Sequence, residues 1–151
     1  VFQTEDRSAV EAFCRANGLT WDWGRGDRFC TRQVCQAVAR HPHTRDWVWF
    51  NQAHLFHISN LDEAVRTGLL ADVAEADLPR NAYHGDGAPL DEADLATIRA
   101  AYQAATVEFL WQPGDVLLLD NMLAAHGRTP YSGPRKILVG MAQPYGLPGN
   151  A

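Results

Sequence analysis

Hydrophobic positions divide the chain into stretches of helical spacing and short runs of β-forming residues. Val10, Phe13 and Cys14 share one face of a helix that Thr4 is placed to cap, that carries Glu5 and Asp6 in its first turn, and that Gly18 is expected to end. From Leu19 to Arg32, Trp21, Trp23 and Phe29 are interleaved with glycine and aspartate, which predicts irregular or hairpin structure. Trp47-Val48-Trp49-Phe50 reads as a short buried strand. Leu61 to Val73 predicts a helix with Leu61, Ala64, Val65, Leu69 and Val73 in a rough stripe; Pro79 and the Gly85-Asp86-Gly87-Ala88-Pro89 cluster then break the chain. A longer helix is expected from Asp91 to Val107. Asp91, Glu92 and Asp94 fall in its first turn, and Leu95, Ile98, Tyr102 and Ala105 recur on one face.

Pro113-Gly114 fits the central pair of a type II turn, and the Val116-Leu117-Leu118-Leu119 run after it is the most strand-like in the chain. A second strand is expected from Arg135 to Ala142, after the turn signal Ser132-Gly133-Pro134. There are no internal repeats and no low-complexity tract. Helices packed around, or inserted between, strands of a mainly β core account for this order.

Composition narrows the function. The 151 residues carry 13 Lys+Arg against 18 Asp+Glu, a formal net charge of -5, with 46% apolar and 21% charged residues, enough for one core-bearing domain. An acidic balance argues against a nucleic-acid partner, which would call for a basic stripe. No run approaches the roughly 18 apolar residues of a membrane span, so no membrane partner is expected. Cys14, Cys30 and Cys35 have neither zinc-knuckle spacing nor an even number, and a reducing cytoplasm is the default expectation. The chain starts at Val1 without a signal-like segment, which suggests a piece of a longer polypeptide.

Two residues stand out chemically. Alternation along the last expected strand puts Arg135 at the start of an apolar face with Ile137, Val139 and Met141. A guanidinium drawn into such a face requires an anion, and a carboxylate is its best bidentate match; at the strand mouth it would instead snorkel to water and pair with a surface acid. His126 follows an apolar run and precedes Gly127 and Arg128, so it is either a metal ligand at a sheet edge or a hydrogen-bonded structural histidine. Arg128 is either a secondary anion contact or part of an exposed salt bridge. His54 and His57 read as core or rim histidines, with cavity lining as the other option, and Asn51 carries a similar ambiguity. Asp120 is either an acceptor orienting the neighbourhood of His126 or a turn acid at a strand end. His41 and His43, on either side of Pro42, are expected on a surface loop.

The stretch Trp111-Gln112-Pro113-Gly114-Asp115-Val116-Leu117-Leu118-Leu119-Asp120-Asn121 to His126-Gly127-Arg128, followed by Gly133-Pro134-Arg135-Lys136-Ile137-Leu138-Val139, resembles the C-terminal part of the TauD/TfdA family of iron(II)/2-oxoglutarate-dependent dioxygenases, closest to its SyrP-like branch. His41-Pro42 with Thr44, Trp49-Phe50-Asn51-Gln52 with His54 to His57, and Gly85-Asp86-Gly87 add to the resemblance, which spans nearly the whole chain. It implies a double-stranded β-helix, or jelly roll, of the clavaminate synthase-like kind, with Fe(II) held by two histidines and a carboxylate. His126 matches the distal iron-binding histidine, and Arg135 matches the arginine that takes the far carboxylate of the co-substrate 2-oxoglutarate. The implied reaction couples conversion of 2-oxoglutarate to succinate with oxidation of a substrate C–H bond. In the SyrP-like branch substrates include amino-acid units, some tethered to carrier proteins, in antibiotic and other natural-product pathways.

The other histidine and the carboxylate of the family come from an upstream HxD or HxE motif with no counterpart here. His84-Gly85-Asp86 spells the motif but lies in a glycine-flanked turn, where a loop histidine is expected. Residues 1–151 are therefore expected to be a partial oxygenase domain lacking its N-terminal part. The rival reading is a catalytically silent remnant that retains only an anion pocket at Arg135.

Overall fold

A computed structural model of the chain describes residues 2–24, 28–134, 136–143 and 145. The chain forms two compact units, Val1–Val34 with Gly127–Ala151, and Cys35–His126.

The first unit is built on helix α1 (Arg7–Ala16), β1 (Thr20–Trp23) and β2 (Phe29–Arg32). Asp6, not Thr4, caps α1: its carboxylate accepts from the amides of Ser8 (2.9 Å) and Ala9 (3.4 Å), while Thr4 Oγ1 accepts from the Asp6 amide. The shorter aspartate reach satisfies the first orphan amides of the helix and complements its dipole. Gly18, at φ +65°, carries the chain out of the helix in the left-handed conformation that glycine adopts without penalty. The expected hairpin forms as an antiparallel pair with Thr20 opposite Arg32 and Trp23 opposite Phe29. Val10 and Cys14 are buried, and Phe2 meets Phe13 and Phe29 edge-on at 5.5 and 5.6 Å. Trp23 packs on Phe29 and donates its indole N–H to Glu11 at 3.0 Å, which ties the hairpin to α1.

In the second unit β3 (Val38–Arg40) pairs antiparallel with β4 (Trp47–Trp49), Val38 opposite Trp49 and Arg40 opposite Trp47. Then come α2 (Ala53–Phe56), a 3-10 turn at Ile58–Asn60, α3 (Glu63–Asp72), a second 3-10 turn at Glu75–Asp77, and α4 (Glu92–Ala105). Asp91 caps α4 through the Ala93 amide, 2.7 Å, and Leu95 is its buried anchor. The apolar core here is Ala39, Ile58 and Leu95, and three histidines are buried in the same unit: His41, His54 and His57, at 3, 5 and 8% exposure.

Several expectations change. β4 lies on a half-exposed ribbon, with Trp47 and Trp49 exposed, because β3 is its single ladder partner among the described residues. The stripe expected on α3 is half-buried at Leu69 and Val73, while Leu61, Ala64 and Val65 are exposed. Among the described residues the strands make two separate two-stranded sheets, which do not by themselves complete the jelly roll that the resemblance implies. Val116 to Leu119 joins no strand ladder among the described residues, with Val116 and Leu118 at 92 and 93% exposure, and residues 136–142 form no strand. An extended run becomes a strand only when a neighbouring backbone completes its hydrogen-bond ladder, and no such neighbour lies among the described residues. No helix among them is long and apolar enough to cross a membrane.

Candidate functional site

The segment leading to His126 is shaped by two aspartates. The Asp115 amide donates to the Gln112 carbonyl (3.1 Å), and the Asp115 carboxylate accepts from the Gln112 amide (2.8 Å). Gly114 at φ +96° supplies the left-handed residue that the expected type II turn requires. After the apolar run, Asp120 starts a second turn: its carboxylate accepts from the Met122 amide (2.9 Å), and its carbonyl accepts from the amides of Leu123 (3.1 Å) and Ala124 (2.9 Å). His126 follows, exposed, and its ring has no hydrogen-bond partner among the described residues.

Asp120 also reaches across 79 residues to His41, whose Nε2 lies 2.9 Å from Oδ2. The other ring nitrogen of His41 accepts from the amides of His43 (3.3 Å) and Thr44 (3.0 Å). A nitrogen that accepts two amide hydrogens carries no proton in the neutral ring, so Nε2 is the protonated position and donates to Asp120. That bond, followed by the Met122 amide, holds the Asp120 carboxyl below its ordinary pKa. Asp120 is thus a turn acid and the acceptor of His41. The surface loop expected for His41 is corrected: the ring is buried at the corner between β3 and β4, where its amide donates to the Asp46 carbonyl and its carbonyl accepts from Arg45. Strand alternation was the available signal, since Ala39 and His41 point to one face and both are buried.

His54 and His57 are tied to α4 through Arg99. The guanidinium donates to the His54 carbonyl from Nε (3.1 Å) and Nη2 (2.8 Å), and Nη2 also reaches Ser59 Oγ at 2.9 Å. Ser59 Oγ lies 2.8 Å from His57 Nδ1, which also accepts from the Ser59 amide (3.1 Å). His54 stacks on Tyr102 with centroids 4.6 Å apart, and its buried Nδ1 has no hydrogen-bond partner among the described residues. Burial, with help from Arg99, pushes the His54 pKa down; burial outweighs Glu92 to do the same at His57. Both rings are core histidines held neutral. His57 also lines an open groove of about 580 Å³ with Arg66, Leu70, Glu75, Leu90 and Glu92. Arg66 Nη1 donates to both oxygens of Glu92 at 3.0 Å there. Asn51 is a local brace, accepting from the Ala53 amide and donating to the Gln36 carbonyl.

His84 stands in the turn expected for it, its amide bonded to the Ala88 carbonyl while Asp86 accepts from the Ala88 amide. Arg128 lies over the Tyr131 ring at 5.3 Å. Arg135 lies outside the described residues. For an iron ion the imidazole of His126 is a suitable donor, but among the described residues no group of three or more His, Cys, Asp or Glu side chains is placed to hold a metal. These residues do not by themselves fit an iron centre of the facial kind, which needs three convergent donors.

The family described as taurine catabolism dioxygenase TauD, TfdA family, matches residues 2–142, and the chain belongs to it. Among curated proteins, the dapdiamide synthesis protein DdaC of Enterobacter agglomerans is 43% identical over 143 residues, which is 95% of this chain and 44% of that protein. A clavaminate synthase-like protein of Arabidopsis thaliana is 36% identical over 66 residues, 43% of this chain and 20% of that protein. The chain thus spans less than half the length of these relatives. No solved structure matches it significantly.

Proposed function

We propose that this chain is the C-terminal part of an iron(II)/2-oxoglutarate-dependent oxygenase that hydroxylates, or oxidises in a related way, a C–H bond of a small substrate. The substrate is amino-acid-derived or tethered to a carrier protein, and the setting is natural-product or antibiotic biosynthesis. The observation that carries this reading is the family match over residues 2–142, reinforced by 43% identity to a dapdiamide synthesis protein. Support from the local structure is the aspartate-framed path that leads to an exposed imidazole at His126, without a hydrogen-bond partner among the described residues.

In this reading His126 is one metal donor, and the second histidine and the carboxylate come from an HxD or HxE motif upstream of Val1. Arg135 receives the far carboxylate of 2-oxoglutarate, because a guanidinium pairs with a carboxylate in bidentate fashion and stays charged at any accessible pH. Iron, when bound, supplies the oxygen-activating chemistry that couples succinate formation to substrate oxidation. The residues of this chain bind and orient the diacid. The 151-residue chain by itself does not turn over, and it works in the cytoplasm as part of the longer protein.

The test is succinate formation by the polypeptide that joins this chain to its upstream histidine and carboxylate, supplied with Fe(II), 2-oxoglutarate and oxygen. His126→Ala is expected to abolish succinate formation; an unchanged rate in that variant would overturn the assignment.

A further inference from the structure

The contact between His41 and Asp120 joins a β-strand corner to the segment that ends at His126, and each partner is already committed on its other side. His41 cannot turn away, because Nδ1 caps the amides of His43 and Thr44 inside a buried corner. Asp120 cannot shift alone, because its carboxylate and carbonyl organise the amides of Met122, Leu123 and Ala124. Only Ala125 separates Ala124 from His126, and consecutive Cα atoms lie about 3.8 Å apart, so the Asp120 turn confines the His126 Cα to within about 7 Å of that of Ala124.

We propose that His41 is a positioning residue for the segment from Asp120 to His126: its Nε2–H holds the Asp120 carboxylate, and with it the turn that presents the His126 imidazole. The functional weight of this proposal rests on the reading of His126 as a metal donor; the structural link does not. A neutral imidazole suits the task because one ring nitrogen accepts within its own corner while the other donates outward along a fixed direction. The acceptor is ionised, which makes this a charge-assisted bond and stronger than an ordinary neutral one. The side chain of Asp120 is half-exposed, 47% accessible, so its removal leaves no large cavity.

Amide hydrogen exchange of the chain tests the link without metal or co-substrate. The reporters are the amides of Leu123 and Ala124, which bond to the Asp120 backbone carbonyl and so survive side-chain replacement. His41→Phe and Asp120→Ala are each expected to speed exchange there by about tenfold, the loss that one charge-assisted hydrogen bond implies. The double variant is expected to be no faster than either single one, and the amides of α4 around Leu95 are expected to keep their rates. His41→Gln, whose side-chain amide can still donate to the carboxylate, is expected to restore part of the protection. Unchanged rates at Leu123 and Ala124, additive effects in the double variant, or a parallel rise across α4 would overturn the proposal. If His41→Phe fails to fold, the half-exposed Asp120→Ala decides the matter. Loss of succinate formation in the unaltered enzyme would sink the oxygenase reading and leave this one standing, whereas normal turnover with unaltered exchange would do the reverse.

Discussion

The guanidinium of Arg99 grips the carbonyl oxygen of His54 from two nitrogens, at 3.1 and 2.8 Å, across 45 residues of chain. Through the same Nη2 it holds Ser59, and through Ser59 the ring of His57, so one arginine on α4 fixes the chain from α2 to the following 3-10 turn. Arg99→Met, which keeps the aliphatic stem, is expected to destabilise the chain by about 2 kcal/mol, since a charged donor and several acceptors lose their bonds. Ser59→Ala is expected to cost about 1 kcal/mol. Urea titration checks both through a lowered midpoint at unchanged slope.

Stability is expected to decline as the pH falls below about 6.5, the ordinary histidine value. His54 and His57 have folded-state pKa values depressed mainly by burial, so the unfolded chain binds protons first. Their contribution is whole above the unfolded pKa and shrinks as the pH drops from there toward the folded one, by up to about 1.4 kcal/mol per pH unit for each ring. Asp120, also depressed, adds a separate loss at lower pH, as its carboxylate protonates and gives up His41. Denaturation curves collected between pH 7.5 and 5 check the first window, and His54→Phe, which preserves the stack on Tyr102, is expected to flatten it.

On the proposed function, Arg135→Ala in the intact protein is expected to raise the 2-oxoglutarate concentration needed for half-maximal rate much more than it lowers the limiting rate. Removing one partner of a buried guanidinium–carboxylate pair, the pairing proposed for Arg135 and 2-oxoglutarate, costs about 2–5 kcal/mol. Steady-state kinetics with varied 2-oxoglutarate distinguish this from a simple folding defect, in which the limiting rate alone would fall.

Gly114→Ala is expected to cost about 1 kcal/mol through the backbone alone. The residue sits at φ +96°, yet an added Cβ would meet nothing within 4 Å, so the penalty is conformational rather than steric. Gly114→Asn is expected to lose less, because asparagine tolerates the left-handed region. A pair of thermal melts suffices to compare them.

Expressed alone, the chain is expected to associate with rising concentration. Val116, Leu117 and Leu118 form an exposed apolar run that joins no strand ladder among the described residues, which invites edge-to-edge pairing. Val116→Lys with Leu118→Lys is expected to suppress that association, and light scattering across a concentration series reads it directly.

Periodicity in the sequence located α1, α3 and α4 because each repeats its apolar residues over several turns, and the Gly18 and Gly114 signals were read correctly because left-handed backbone leaves few alternatives to glycine. The pairing of β3 with β4 is hard to read from sequence, because Val38–Arg40 is three residues long and the Ala39/His41 alternation that buries His41 spans a single step. Cross-chain partners such as Arg99 with His54, or His41 with Asp120, leave no local pattern, since both members are ordinary in their own neighbourhoods. The strands expected at 116–119 and, of 135–142, over the described residues 136–142 show the opposite failure. Their composition favours a strand, but a strand is a property of two segments, and only one of them is specified by the residues themselves.

The corner between β3 and β4 also fixes an order of events during folding. The turn that encloses the His41 ring joins residues a few positions apart, so it closes quickly and at small entropic cost, whereas Asp120 must arrive across a loop of 79 residues. His41 is therefore oriented by its own neighbours before its distant acceptor docks, and the late-arriving segment meets a donor already aimed.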